Sequence, residues 1–381
     1  MSKQGKMNTL RGMKKTGQKH RLILSVQKSI ALFLMVTCTF APLDSWLSTL
    51  FNIHLAWLPD VEVVEAAVTP AIKVESFDRN VDTDGSTFTL SNDVGATRSD
   101  FIKLNTGTRK TSAGPTGSTG NTAPHIGAVG LVLSDTATVT VERSNATVVK
   151  VMGEVWRYEG NAGAANEFIV RDRVAVSLSG SSVSTAISGI SDVDNVVPFI
   201  TGYTINNTSV SNWHDATIAA HMDDSGNLIV SRNNSGTAGT VYVDVVEFTG
   251  SNWTVCHGYS SSHDTAEQII TLNTDSDGVG GSTCDVSDWD TATIIEATME
   301  GDSSETGLSD TLALVRPGTT TTSVVFDLQQ DSNARNDGEA WIHVLQNDDL
   351  VVNRASDANI SEGNGSYGTA TWPAGATTTA D

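Results

Sequence analysis

The sequence predicts an all-β fold: tandem antiparallel β-sandwich modules, jelly-roll-like, in three divergent repeats. Three observations lead there. The 381 residues are only 18% charged and include 33 glycines, which suits short strands joined by many turns and excludes a coiled coil or a highly charged disordered chain. Within candidate strands the apolar period is two, as in Val241, Val243 and Val245 against Tyr242, Asp244 and Val246, so the two sets occupy opposite faces. Finally, a set of landmarks recurs in one order along the chain.

The landmarks define the modules. Each opens on a strand start: Phe101-IKLNT, Phe199-ITGYTINN and Ile269-ITLNT. Arg143, Arg232 and Arg316 close short alternating segments, and the strands VMGEVWRYEG, VYVDVVEFTG and VVFDLQQD follow. A Gly/Asn/Ser segment then leads to Phe168, Trp253 or Trp341 at the head of another strand. Two modules also share Trp, two residues, Ala-Thr-Ile, then Met and an acid, at Trp213–Asp223 and Trp289–Glu300. Turn chemistry such as Asp224-Ser225-Gly226-Asn227 separates the strands. The expected modules span 100–185, 195–262 and 265–352.

Taken from the start, residues 1–66 read as an export leader. Eight basic side chains (Lys3, Lys6, Arg11, Lys14, Lys15, Lys19, Arg21, Lys28) precede the apolar run Ile30–Pro42. A basic start and a short apolar core are the pattern of a secretory signal, and the run is too short to span a bilayer. The best small-residue cleavage match is Val64-Glu65-Ala66. The leader would be long, which keeps an uncleaved anchor as the alternative. Met35-Val36-Thr37 before Cys38 is a poor lipobox, and a pilin-type Gly and Glu are missing from the apolar run. Residues 67–99 form an N-terminal extension, either an edge strand or a donor strand for another subunit, and 353–381 a polar tail.

Charge and cysteine agree with export. Lys and Arg number 23 against 44 Asp and Glu, a formal net charge of −21. Such a surface stays soluble by self-repulsion, attracts cations and excludes nucleic acid as a partner. Beyond the leader only Cys256 and Cys284 remain. In an oxidising compartment they predict a disulfide, the alternative being two buried thiols.

The segment IVSRNNSGTAGTVYVDVVEFTGSNWTVCHG at 229–258 resembles secreted, repeat-bearing β-proteins of environmental bacteria and archaea. Their repeats run strand-Arg, Gly-containing turn, V-x-V-x-V-V-E-F strand and V-x-x-G strand. The first module departs with Trp156 and Tyr158, the third with Asp327-Leu328-Gln329. The resemblance implies a surface or fibre role and carries no catalytic residue.

Candidate sites are few. Asn273, Asp275 and Asp277 place oxygens at alternate positions before Gly278, like the first half of a calcium loop; Cys284 stands where the closing acid belongs. Trp213 and Trp289 are candidate sugar-stacking platforms, although their place in the repeat frame also suits core anchors. The Arg series reads as strand-end pairing, and His257 and His263 as members of one loop. No G-x-S-x-G, HExxH or Walker motif occurs. The expectation is a non-catalytic, secreted structural protein that polymerises with itself and touches membrane only through its leader, calcium being the one candidate cofactor. An adhesin holding surface glycans is the alternative.

Overall fold

Alternation in the central strands sets where the core lies. In a computed structural model, residues 72–90, 100–110, 128–134, 137–144, 148–206, 217–232, 238–261, 267–300, 313–328 and 338–349 are described. They belong to one compact unit, Thr69–Asp381, distinct from Met1–Val68. The expected leader, the tail and Trp213 lie outside the described residues. Among the described residues the chain is all-β and antiparallel, with no α-helix and a single 3-10 turn at Val193–Asn195.

The first six strands are β1 (Ile72–Val81), β2 (Thr87–Thr89), β3 (Asp100–Lys110), β4 (Gly130–Leu133), β5 (Thr138–Glu142) and β6 (Val149–Tyr158). They pair in the orders β1-β6-β3 and β2-β5-β4. Apolar residues of both sets, among them Phe77, Ile102, Leu131, Val139 and Val151, share one buried cluster. The next six are β7 (Ile169–Leu178), β8 (Ser182–Ala186), β9 (Val196–Ile205), β10 (Ala219–Met222), β11 (Asn227–Ser231) and β12 (Gly239–Glu247). Their pairing repeats the first, as β7-β12-β9 and β8-β11-β10, around a second cluster that includes Leu178, Met222, Leu228 and Val243.

Two of the three repeated arginines hold equivalent places in this pattern, Arg143 just after β5 and Arg232 just after β11. The Arg143 guanidinium donates to the Val81 carbonyl at the end of β1, and Arg232 reaches the Leu178 and Gly180 carbonyls at the end of β7. They satisfy backbone acceptors where each first strand leaves its sheet.

The remaining strands are β13 (Thr254–Ser260), β14 (Glu267–Asn273), β15 (Ala292–Met299), β16 (Ala313–Pro317), β17 (Ser323–Leu328) and β18 (Ala340–Gln346). They pair in the same orders, β13-β18-β15 and β14-β17-β16, and here the two sets join through β13 and β14 into one six-stranded sheet. The strands also cross the expected module borders. β7 pairs with β12 along its length, and β13 with β18. At Gly130 and Gly202, β4 meets β9 and joins two three-stranded sets into a six-stranded sheet. Gly202 has φ +129°, and a Cβ there would stand 1.9 Å from the Val129 carbonyl oxygen, so only glycine allows that approach.

At the centre, a third buried cluster draws on many strands at once. Phe101 of β3 stacks on Phe199 of β9 with centroids 4.4 Å apart, and meets Phe168 edge-on at 5.2 Å. Trp156, Phe248, Trp253, Ile295 and Leu345 complete it. β12 therefore faces two cores, Val243 and Val245 one way and Val246 the other, which explains burial of both its faces near Glu247. Ile269, the sequence counterpart of Phe101 and Phe199, is instead 65% exposed.

That contrast is measurable. Phe199→Ala should destabilise the protein by about 3–5 kcal/mol in urea unfolding, whereas Ile269→Ala should stay within about 0.5 kcal/mol. Equal losses would mean that the repeat frame, and not the central cluster, sets the energetics.

Candidate functional site

The turn from β10 to β11 and the loop after β14 bring three carboxylates together. Oxygens of Asp224, Asp275 and Asp277 all lie within 4.8 Å of one another. Each turn is fixed by its own residues. Asp223 accepts from the backbone N–H groups of Ser225 and Asn227 and from the Asn227 side chain. Burial pushes the Asp223 carboxyl up, but these donors prevail and hold it below the usual range. Asp223 is thus committed to its turn, and Asp224 is left to face the second loop.

That loop closes on itself through the Gly278 N–H, which donates to the Asp275 carbonyl at 2.8 Å, and the Val279 N–H, which donates to the Asp277 carboxylate. Gly278 has φ +72°, so a side chain there would be strained. The Asn273 amide nitrogen donates to the Gly278 carbonyl at 2.8 Å. Asn273 therefore braces the loop and is not among the clustered carboxylates. The Ser276 N–H reaches across to the Asp194 carboxylate at 3.2 Å.

Crowding of like charges shows in the ionisation. The Asp224 carboxyl is raised, first by a hydrogen bond with Asp275 and then by its charge. Asp194 is raised by burial, with Asp192, Asp224 and Asp277 adding to it. Proximate carboxylates relieve their repulsion by sharing a proton or by binding a cation. A hard divalent ion suits them: calcium takes six to eight oxygens, and three carboxylates supply a substantial part of that shell. Asp275 and Asp277 were legible from spacing. Asp224 was not, because it belongs to a different turn and no local pattern links the two.

The other expected residues are placed as follows. Cys256 and Cys284 form a disulfide with Cα atoms 5.7 Å apart, and both side chains are buried beside Ile342 and Val344. Trp289 is half-buried against that same cluster, and its indole N–H points to the Thr320 carbonyl at 3.4 Å. Its ring is a packing element more than an open platform. His257, expected in a loop, lies buried in β13 and meets His343. Glu300, at the end of the repeated Trp289–Glu300 segment, is buried, which raises its carboxyl.

No family model, curated protein or solved structure matches this chain.

Two measurements follow. If the carboxylates bind calcium, a hundredfold excess over Kd should raise the melting temperature by roughly 4–8 °C, and Asp275→Asn should abolish the rise. An unchanged wild-type melt would leave a proton as the only bridge. Replacing Cys256 and Cys284 by serine should cost about 3–4 kcal/mol through the reopened loop, read as a lower denaturant midpoint under oxidising conditions.

Proposed function

We propose that the protein is a non-catalytic, secreted structural protein, the subunit of a surface filament built from jelly-roll-like β-sandwich modules. The observation that carries this reading is the mode of sheet completion. β1 adds to the edge of β6 as β7 adds to the edge of β12, so each three-stranded set takes its outer strand from the segment that precedes it. Strand addition at an open edge joins chains as readily as it joins segments, and contacts of that kind that do not close make filaments. In this reading the two six-strand groups are sandwiches, and the C-terminal strands are a third, diverged copy.

Several features are consistent with life outside the cell. The leader-like residues 1–66, the disulfide and the acidic surface all suit an exported chain. Calcium at Asp224, Asp275 and Asp277 would brace two turns and add rigidity. The partner in this reading is the protein itself, without nucleic acid and with membrane contact only through the leader. Glycan binding by an adhesin draws less support, since Trp289 packs on the core and Trp213 lies outside the described residues.

Negative-stain electron microscopy of the chain lacking 1–66 tests the proposal. Regular fibres are expected, and they should vanish when 67–98 or 353–381 is removed. Discrete particles at high concentration, with and without calcium, would sink it in favour of glycan binding.

A further inference from the structure

A seam of ionisable groups separates β13, β18 and β15 from the strands packed against them. Ladder register sets His257 of β13 opposite His343 of β18, and His343 opposite Glu296 of β15, so all three share one sheet face. In the next row Trp341 stands opposite Thr298. This face turns to β9, β10 and the 3-10 turn. The Thr298 hydroxyl bonds both the N–H and the carbonyl of Ala220, at 3.2 and 3.3 Å. The Trp341 ring stacks on His221 with centroids 4.2 Å apart.

Within the seam, His257 and His343 are each 1% exposed and meet Nδ1 to Nδ1 at 2.8 Å. A contact of that length needs one hydrogen between the two nitrogens. His257 Nε2 lies 2.9 Å from the Asp194 carbonyl oxygen, which assigns its proton to Nε2 and leaves its Nδ1 as acceptor. His343 must then carry its proton on Nδ1. Its Nε2 faces the Ala220 carbonyl without a well-aligned hydrogen bond. Donation thus runs from His343 to His257 to the Asp194 carbonyl. A proton added at His343 Nε2 leaves this order intact, whereas one added at His257 Nδ1 removes the acceptor of the 2.8 Å contact.

The Ala220 carbonyl faces a proton added at His343 Nε2, whereas a second proton, on His257 Nδ1, meets the Nδ1–H of His343 and has no acceptor there. Burial raises the Glu296 carboxyl to about 8, against Lys103 and the Ile200 backbone. The Asp194 carboxylate accepts from Ser276, Asp192 accepts from Asp194 N–H and Asn195, and Asp223 is engaged by its own turn. His221 would add a like charge. Burial lowers His257 and His221 to about 4 each, and His343 well below its ordinary value.

We infer that this seam is an acid-labile latch: the neutral His343–His257–Asp194 chain holds the β13–β18–β15 sheet onto β9 and β10, and protonation of the pair releases it. The inference rests on the fold alone and stands whether or not the protein forms filaments.

The sign follows from linkage. Groups depressed in the folded state bind more protons when unfolded, so their contribution to stability is complete above the unfolded value and falls away as the pH drops below it. Asp100 and Asp244, raised to about 6 by burial, and Glu296 act in the opposite sense. The informative quantity is therefore the difference between the wild type and His257→Gln/His343→Asn, which keeps hydrogen-bonding groups and removes the titration. Between pH 7.5 and 4.5 the wild-type unfolding constant should rise relative to the variant by about a hundredfold per imidazole. Parallel curves would overturn the latch. Should the variant fail to fold, NMR titration of the wild-type imidazoles decides. Two rings that stay neutral down to pH 5 support the latch, and ordinary midpoints near 6.5 with the Ala220 amide still protected from exchange overturn it.

Discussion

Phe101 stacked on Phe199 is the contact on which the described structure turns. The two residues begin equivalent strands of successive strand groups, and their rings meet instead of facing separate cores. Each buried aromatic removes a large apolar surface from water, worth about 1.5–3 kcal/mol, and offset or edge-on pairing adds about 0.5–1.5 kcal/mol. Because Phe168, Trp253, Ile295 and Leu345 join the same cluster, the groups cannot separate without exposing it. Strands covered on both faces, β12 and β18 above all, are the consequence.

Buried charge follows the same geometry. Arg173 of β7 donates to the Asp100 carbonyl and lies 3.5 Å from the Asp244 carboxylate, while Asp244 accepts from the Ile102 N–H at 2.9 Å. These contacts tie β3 to β7 and β12 beside the aromatic cluster. Glu247 accepts from Arg171, the Ser191 N–H and hydroxyl, and the Asp192 N–H, so a buried carboxylate is fully engaged and the 3-10 turn is anchored. The same turn offers its Asp194 carbonyl to His257 and its Asp194 carboxylate to Ser276. One short segment thereby positions both the histidine seam and the carboxylate loop.

Much of the candidate site was legible, and the part that was not is instructive. Asp275 and Asp277 stand in a local spacing that any loop of that type would use, so sequence found them. Asn273 has the right side chain at the right spacing, yet its amide braces the loop through the Gly278 carbonyl, because an amide offers a donor where a carboxylate does not. Asp224 entered from a turn distant in sequence. The His257–His343 pair escaped for the same reason: Gly258 and nearby serines read as a loop, while ladder register with β18 made the segment a strand.

By itself the sequence determined the class. Period-two alternation, turn residues and recurring landmarks require antiparallel strands, and those signals are local, set within a few residues by side-chain direction and backbone conformation. Tertiary structure decided which strands pair. That choice lies in long-range contacts such as Gly202 against Val129, Arg143 and Arg232 on distant carbonyls, and Phe101 on Phe199. Strands from the expected modules therefore share sheets and meet in the central aromatic cluster. Phe199 and Ile269, matched as landmarks in sequence, end in opposite environments because they lie on strands that hold different places in the pairing order, β9 third in its group and β14 second.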